Sequence, residues 1–418
     1  MKFSLLNSAW ACLLFPLSAF ASPEWNSETL TGDWHGTRTR MSKAGANLHI
    51  TYKGDVLSVL SGGIENGTKY LDQWDFKLIL DGEKLWGIPG SSGLIHIISN
   101  HGSKFNALNV GTAQGIDNIE VAATTSKVFQ AWLQQTFYHD KVSILAGLYD
   151  LNSEFYVTDS STLFLHPTFG MASDLGQTGV NGPSIFPTTS FGIRVKYQPT
   201  PKFYAQAVVL DGVPGDPNNP YGTHIQFNKG DGALDVAEFG WEPQADKADA
   251  NLIDKYAFGM WRYTAHFDDL VDTNSSGQPE KRVNRGAYVL AEKTLTQEKD
   301  DSSQGLTGFI RYGVASPDIN RFDRALGVGI NYRGLIPGRN EDVFGFAIAA
   351  EHNSAKHRQS VSNAGGTEPS SESAYELTYR AQIRPWLAIQ PELQFIENHG
   401  EPAIKDVWVG GVRIEIEL

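Results

Sequence analysis

The sequence has almost no cysteine, because Cys12 is the only one among 418 residues. Cys12 lies in the N-terminal stretch MKFSLLNSAWACLLFPLSAFA, which has a charge at Lys2, an apolar centre, and small residues at Ala19 and Ala21. These are the features of a secretory signal peptide, and we expect residues 1–21 to be removed on export. The mature chain would then have no disulfide, so its stability must come from burial or from closed hydrogen bonding.

The sequence also lacks long hydrophobic runs and an excess of basic residues. Beyond residue 21, no apolar stretch approaches the roughly 18 residues of a transmembrane helix. The 47 acidic residues outnumber the 34 basic ones, and the net charge of −13 argues against nucleic-acid binding. The chain does contain 42 glycines and 11% aromatic residues, which is more typical of strands and turns than of helices. Composition alone is compatible with one large soluble β domain or with two smaller domains.

A two-residue alternation of apolar and polar side chains recurs along the chain. In VWVGGVRIEIEL, residues 407–418, Val412 and Ile414 share one parity while Arg413 and Glu415 share the other. The segments AYELTYRAQIRP and FGIRVKYQ alternate in the same way. Because successive side chains of a strand point to opposite faces, each segment would have one apolar and one polar face.

The same pattern predicts about sixteen strands, most of them near the ~9–11 residues that cross a membrane. They lie near 44–54, 70–81, 92–101, 128–138, 141–149, 190–198, 202–211, 232–242, 255–265, 285–293, 305–315, 324–333, 342–353, 374–384, 386–397 and 405–417. Short turns follow the fourth, sixth and fourteenth strands. Long polar segments follow most odd-numbered strands, at 102–127, 150–189, 212–231, 266–284 and 354–373. Short turns at one rim and long loops at the other are typical of an outer-membrane barrel.

We therefore predict an all-β fold, a closed antiparallel transmembrane β-barrel with pore-constricting extracellular loops. Residues 44–418 would form the barrel, and residues 22–43 a periplasmic N-terminal segment. The last strand should pair with the first, so that no strand edge faces lipid. The alternative is a soluble β-sandwich, which would have to be unusually large to contain so many alternating strands without disulfides. Aromatic residues near strand ends also favour interfacial girdles: Tyr197, Tyr375, Trp386 and Trp408.

Five segments, spread in order over nearly the whole mature chain, carry a family resemblance. They are LTGDWHGTRTRMSKAG (30–45), AWLQQTF (131–137), AGLYDLNSEFYVTDSSTLFLHPTFG (146–170), DGVPGDP (211–217) and YELTYRAQIRPWLAIQPELQFIENHG (375–400). Together they resemble the OprB-type carbohydrate-selective porins of outer membranes, and LYDLNSEF and YRAQIRPWLAIQPELQ are the most specific parts. The chain departs from the pattern at His35, where the family usually has Gly, and at Leu418, where outer-membrane barrels commonly have an aromatic residue.

The resemblance implies a porin that passes glucose-like monosaccharides by facilitated diffusion through a water-filled barrel, with no enzymatic activity and no cofactor. Its partners would be small sugars and the lipid and lipopolysaccharide of the outer membrane, with no nucleic acid. The oligomeric state stays open between monomer and homotrimer. The alternative function is an outer-membrane barrel enzyme or adhesin that acts on glycans, and a soluble periplasmic glycan-binding module is the third.

The third long loop, residues 150–189, is the first candidate for a solute site, because the resemblance implies that it folds into the lumen. It opens with Asp150, Asn152, Glu154 and Phe155. Carboxylates and amides suit the hydroxyl groups of a sugar, and aromatic rings suit its C–H faces. The alternative is that Asp150 and Asn152 fix the loop through hydrogen bonds to its backbone.

Inward parity nominates a second set of candidates among the charged residues of the strands. They are Arg194, Lys196, Arg311, Glu376, Arg380, Glu392 and Arg413, of which Lys196 and Arg413 lie nearer a rim. Opposed charges in a pore create a transverse field that screens solutes by polarity, although ion pairs that brace the wall are the alternative. The predicted pore-lining set is Asp150, Asn152, Glu154, Phe155, Arg194, Arg311, Glu376, Arg380 and Glu392.

Two local patterns imitate other kinds of site. Asp150 and Glu154 resemble the carboxylate pair of a glycosidase. In extended chain they would lie ~13 Å apart, beyond the ~5–9.5 Å that this chemistry uses, whereas on a helical turn they would be closer. Asp272 and Asn274 begin like a calcium-binding loop, but Val283 stands where a bidentate Glu belongs. We therefore expect neither an active site nor a metal site from these patterns.

Overall fold

Sixteen antiparallel strands form one sheet that closes on itself. The computed structural model describes residues 27–102, 104–246, 251–397 and 405–418, so the expected signal peptide and Cys12 lie outside the described residues. Every strand pairs with its neighbours in sequence, and β1 (Ala46–Gly63) pairs antiparallel with β16 (Lys405–Glu417). The prediction of a closed antiparallel barrel of about sixteen strands is therefore confirmed.

The remaining strands follow in chain order. They are β2 (Thr68–Asp81), β3 (Ser91–Gly102), β4 (Thr125–Phe137), β5 (Val142–Tyr149), β6 (Ser190–Thr200), β7 (Phe203–Asp211), β8 (Ala233–Trp241), β9 (Asp254–Thr273), β10 (Pro279–Gln297), β11 (Gly305–Ala315), β12 (Phe322–Arg333), β13 (Val343–Asn353), β14 (Ser371–Arg384) and β15 (Leu387–Glu397). The α-helices are α1 (Thr37–Ala44), α2 (Gly82–Trp86), α3 (Ser173–Gly176) and α4 (Ala355–Asn363). In the described ranges, no helix has the length and apolar character needed to cross a membrane.

The two faces of the wall have opposite polarity. On β6, the outward-facing Ile193 and Val195 are 50% and 44% exposed, whereas Arg194 between them is 2% exposed and points inward. On β16, Ile414 is likewise exposed while Arg413 is buried. Apolar side chains outside and charged side chains inside are what a barrel in lipid requires, and a soluble sandwich would show the reverse.

The largest difference from the predicted strands is at β9 and β10. Both strands extend well beyond the predicted ranges 255–265 and 285–293, so most of 266–284 is a β-hairpin and not the predicted long loop. This segment has polar residues on both faces and therefore shows no two-residue alternation. Its backbone ladder nevertheless continues, because strand pairing does not require an apolar face once the hairpin has left the lipid.

The rim that carries the long loops is cross-connected by Lys356 of α4. Its ammonium lies 2.6, 2.7 and 2.8 Å from carboxylate oxygens of Asp269, Asp272 and Asp318. Burial alone would lower the pKa of Lys356, but these three contacts raise it. Asp272 of the calcium-like pattern is thus part of an ion-pair network, and the described residues include no His, Cys, Asp and Glu group that could hold a metal.

The segment before β1 joins the two strands that close the barrel. Arg38 of α1 donates hydrogen bonds to the carbonyl oxygens of Leu48, at 3.3 Å, and of Leu418. The Leu30 N–H donates to the carbonyl oxygen of Glu417 at 2.8 Å. The segment therefore contacts the start of β1 and the end of β16 at once.

Candidate functional site

Residues 150–189, which we call the inserted loop, turn back into the barrel between β5 and β6. Several of its aromatic side chains are almost fully buried, and Phe155 and Tyr156 are both 0% exposed. Tyr156 stacks on Tyr288 of β10, with ring centroids 4.0 Å apart. Phe164 packs against Phe309 of β11, with centroids 6.0 Å apart. The loop thus uses an apolar face to pack against the inner wall, which accounts for aromatic residues inside a polar lumen.

Glutamates of the inner wall hold this loop by accepting hydrogen bonds from its backbone. Four of them do so: Glu238 for the N–H of Tyr156, Glu292 for those of Asp159 and Ser160, Glu351 for that of Ser173, and Glu376 for those of Leu165 and His166. The two bonds to Glu376 measure 2.8 and 2.9 Å. Each carboxylate satisfies loop donors that would otherwise be buried without a partner.

Arg311 of β11 holds the loop through its carbonyl groups. Its guanidinium donates to the carbonyl oxygens of Thr168 at 2.5 Å, Gly170 at 3.0 Å and Tyr156 at 3.4 Å. Only 1% of Arg311 is exposed. Nearby Gly313 lets the loop approach the wall, because a Cβ at this position would lie 2.1 Å from a side-chain oxygen of Asp174. At β11, the inner wall therefore provides both hydrogen-bond donors and space for the inserted loop.

A second segment, residues 104–124 between β3 and β4, also reaches into the lumen. Glu372 of β14 accepts the N–H groups of Ala113 and Gln114, both at 3.0 Å. Arg413 of β16 donates to the side chain of Asn118 at 2.8 Å. Both inserted segments are consequently fixed to β14 or β16 as well as to their own ends.

A cavity, which we call the passage, lies between the inserted loop and the wall formed by β1 to β4. Its cavity volume is about 540 Å³. The wall contributes Lys53, Gln73, Asp75, Lys77, His96 and Gln130, and the loop contributes Asn152, Ser153, Thr162, Thr168 and Gln177. Phe129, Phe164 and Phe186 also border the cavity, and of these three rings only that of Phe186 is more than slightly exposed. The lining combines charges, amides, hydroxyls and rings, which is suitable for a polar solute that also has apolar faces.

A second cavity, of about 350 Å³, adjoins this passage. The two share Gly176, Ile185 and Phe186 in their linings. The second cavity is lined by residues of the long-loop rim, among them Lys127 and Asp216. The two cavities are therefore adjacent, and we call the second one the vestibule.

Comparison with known proteins identifies the family. Residues 65–418 match the model described as the carbohydrate-selective porin, OprB family. The chain belongs to this family. Porin B of Pseudomonas aeruginosa is 24% identical over 422 residues, an alignment that covers 93% of this chain and 91% of that protein.

Solved structures of Pseudomonas putida OprB share the fold of this OprB-family porin. The structure described as its high-pH form is 22% identical, with a TM-score of 0.83, and covers 95% of this chain and 100% of that one. The low-pH form is 21% identical, with a TM-score of 0.62, and covers 94% and 99%. Family and fold together make this chain an outer-membrane porin and not an enzyme.

The four predicted residues at the start of the inserted loop differ from one another in their contacts and exposure. Asp150 accepts the N–H of Asn152 at 3.0 Å, and the Asn152 amide donates to carbonyl oxygens of Phe155 and Gly170. Both residues fix the loop, and both also line the passage. Glu154 accepts two hydrogen bonds from Arg194, at 2.8 and 3.0 Å. Phe155 is fully buried, so the loop hides a residue that we expected at the pore surface.

The strand residues of the predicted set point inward, but most are covered. Arg311 and Glu376 are 1% and 0% exposed because the inserted loop lies over them. Glu392 is also buried and accepts a hydrogen bond from Gln394 at 2.7 Å. Arg380 is partly exposed and pairs with Glu415 at 2.7 Å. Arg311 and Glu376 therefore do not line the open pore as we expected, because the inserted loop occupies the space beside them.

The predicted set missed the wall of the passage itself. Lys53 on β1 and Gln73, Asp75 and Lys77 on β2 share the inward parity of their strands and line the passage. The alternation in LDQWDFKL carried this signal, because Gln73, Asp75 and Lys77 fall on one face. Which strands border the open passage depends on where the inserted loop packs, and the alternation of side chains does not predict that packing.

We predict that Glu154→Ala loosens the start of the inserted loop and leaves the barrel folded. The substitution leaves the side chain of Arg194, which is 3% exposed, without its carboxylate partner. Breaking a fully buried pair costs about 3–5 kcal/mol, and the remaining bonds of Arg194 to Ser143 and Gln134 would offset part of this cost. Strand pairing is unaffected, because the pair joins the loop to β6. Single-channel recordings should show greater current noise and a several-fold change in solute flux.

Glu397→Ala provides the matched control, because Glu397 lies at the end of β15 on a different part of the wall. Its current noise should equal that of the wild-type porin. Equal noise in the Glu154 and Glu397 variants would contradict the role assigned to the Glu154–Arg194 pair.

Proposed function

We propose that this OprB-family porin carries glucose-like monosaccharides across the outer membrane by facilitated diffusion through the passage beside the inserted loop. The observation that carries the proposal is the lining of the passage, in which amide, hydroxyl and aromatic groups face one cavity of about 540 Å³. The family description supports the choice of carbohydrate as the solute class.

The chemistry of the lining supports weak, exchangeable sugar contacts. Ser153, Thr162 and Gln177 are exposed residues of this lining, and their hydroxyl and amide groups offer both donors and acceptors to the hydroxyl groups of a sugar. The half-buried ring of Phe186 offers apolar surface to the C–H faces of a pyranose. A diffusion channel must release its solute as readily as it admits it, and neutral hydrogen bonds of this kind exchange quickly with water. Passive diffusion needs neither a cofactor nor an energy source.

The proposal extends to export and to membrane placement. Residues 1–21 would be removed as a signal peptide, and residues 22–43 would lie on the periplasmic side with the short turns. The long-loop rim, with its Lys356 network, would then face outward. The exposed apolar face of the barrel would contact lipid and, in the outer leaflet, lipopolysaccharide.

Liposome swelling with Thr162→Trp tests whether sugar passes beside the inserted loop. Thr162 is an exposed residue of the loop and lines the passage, so an indole there should narrow it. Liposomes with the wild-type porin should swell rapidly in glucose, and the variant should reduce the rate several-fold. Thr200→Trp is the matched control, because Thr200 is exposed at the end of β6 outside the passage, and it should leave the rate unchanged.

Two results would contradict the proposal. One is a folded wild-type porin that does not admit glucose at all. The other is an equal rate for the two tryptophan variants, which would mean that sugar takes another route or that the porin serves another solute.

A further inference from the structure

Acidic and basic side chains are unequally available inside the barrel. Five glutamates of the inner wall, all 0% exposed, accept backbone N–H groups of the inserted segments: Glu238, Glu292, Glu351, Glu372 and Glu376. A solute in the passage cannot contact these carboxylates, because the loops cover them. The net charge of −13 therefore does not describe the surface that a solute meets.

The passage is instead lined by two lysines that are not covered by the inserted segments. Lys53 and Lys77 both line it, and the side chain of Lys53 is 27% exposed. Among the residues that the structure describes, no carboxylate lies within ion-pair distance of Lys77. Lys127 in the adjoining vestibule donates only to neutral oxygens, those of Thr188 at 3.2 Å and Pro220 at 3.3 Å. Each of the two cavities is therefore lined by a lysine that forms no ion pair among the described residues, Lys77 in the passage and Lys127 in the vestibule.

The carboxylates that line these cavities already accept hydrogen bonds from neighbouring groups, so fewer of their oxygens are open to a solute. In the passage, Asp75 accepts from His96 at 2.6 Å and lies 3.7 Å from Lys53, and its side chain is only 4% exposed. Asp150 accepts the N–H of Asn152. In the vestibule, two acids are occupied in the same way, Glu120 by the N–H of Asn106 and Asp216 by the N–H of Asn218. Lys77 is therefore the charge in the passage most available to a solute.

We propose that this porin prefers monosaccharides that carry a carboxylate, such as uronic or aldonic acids, over neutral hexoses. The inference rests on the proposed function, because it concerns the same passage. The solute carboxylate would pair with Lys77, with Lys53 nearby, while the solute hydroxyl groups contact exposed residues of the lining such as Ser153 and Gln177. A lysine ammonium is a flexible, strongly hydrated charge, so the pair forms and separates quickly enough for transport. Lys127 in the vestibule would also raise the local anion concentration and the entry rate.

Two measurements on the intact porin test this preference. In planar bilayers with a potassium chloride gradient, the reversal potential should show anion selectivity. In liposomes at low ionic strength, glucuronate should enter several-fold faster than glucose, and the ratio should fall towards parity as sodium chloride is added, because salt screens partly exposed charges. The salt titration uses the wild-type porin and so does not depend on whether a variant folds.

Lysine variants locate the effect. Lys77→Gln should bring the glucuronate-to-glucose ratio close to parity and reduce anion selectivity, and Lys77→Arg should retain most of both. Lys141→Gln removes the same charge from an exposed position in the β4–β5 turn and is the matched control, with the wild-type ratio expected.

The outcomes separate this inference from the proposed function. Rapid glucose entry without any preference for glucuronate, or the same ratio in Lys77→Gln and Lys141→Gln, would overturn the inference and leave sugar diffusion standing. Failure of a folded porin to admit either sugar would overturn the proposed function itself.

Discussion

Arg311→Leu should increase the single-channel conductance several-fold and speed the entry of disaccharides relative to the wild-type porin. The substitution removes the donor to three loop carbonyl groups, those of Tyr156, Thr168 and Gly170. Hydrogen bonds to a charged group contribute about 1.5–3 kcal/mol each, so the docked state of the inserted loop would lose several kcal/mol. The barrel should still fold, because the backbone pairing of β11 with β10 and β12 does not involve this side chain.

Arg262→Leu is the control for this experiment. Arg262 faces outward on β9 and its side chain is 67% exposed, so the change removes an arginine without touching the loop. Planar-bilayer recordings and swelling in a disaccharide series should then match the wild-type porin. An unchanged conductance in a folded Arg311→Leu porin would mean that the glutamate contacts alone hold the loop.

Asp55→Ala should lower the unfolding temperature of the barrel more than other single charge removals on strands. Asp55 of β1 and Arg413 of β16 are opposite each other across the closing seam, with two hydrogen bonds of 2.8 and 2.6 Å. Their side chains are 1% and 6% exposed. Removal of the carboxylate leaves a buried guanidinium uncompensated, which costs about 3–5 kcal/mol. Asn118 and Asp117 remain near Arg413 and would offset part of this cost.

Asp268→Ala is the matched control for the seam. It removes the partner of Lys281 from an ion pair of 2.7 Å in which the side chains are 57% and 62% exposed. A surface pair of this kind contributes roughly 0–1 kcal/mol, so the control should unfold close to the wild-type temperature. The temperature at which the folded band converts to the unfolded band on gels reports both variants. Equal shifts would contradict the assignment of Asp55 and Arg413 as the closing pair.

Most of the barrel could be predicted from sequence because lipid imposes a strict rule on every strand. Ile414 and Arg413 must point to opposite sides, and a shift of one residue would place Arg413 in lipid. The same rule requires β16 to pair with β1. Where lipid does not act, prediction was poorer: β9 and β10 continue as a hairpin beyond the membrane, and their polar residues do not alternate.

The site could be predicted only in part, for a different physical reason. Alternation correctly directed Arg311 and Glu376 to the lumen, but it does not show which inward side chains are covered. Covering depends on contacts between residues far apart in sequence, such as Glu376 with the N–H groups of Leu165 and His166. For this reason the passage lies beside Lys53 and Lys77, and not beside the loop anchors.

Thiol modification of a residue in the passage tests the central claim most directly, namely that solutes pass between the inserted loop and the wall of β1 to β4. The only cysteine of the sequence, Cys12, belongs to the expected signal peptide, so a single introduced thiol can be followed. A bulky, water-soluble thiol reagent added to Ser153→Cys should reduce the single-channel current in one step, and glucose should slow the reaction. The same reagent should leave the current of Ile193→Cys, on the outer face, unchanged. A Ser153→Cys porin that reacts fully without losing current would contradict the claim.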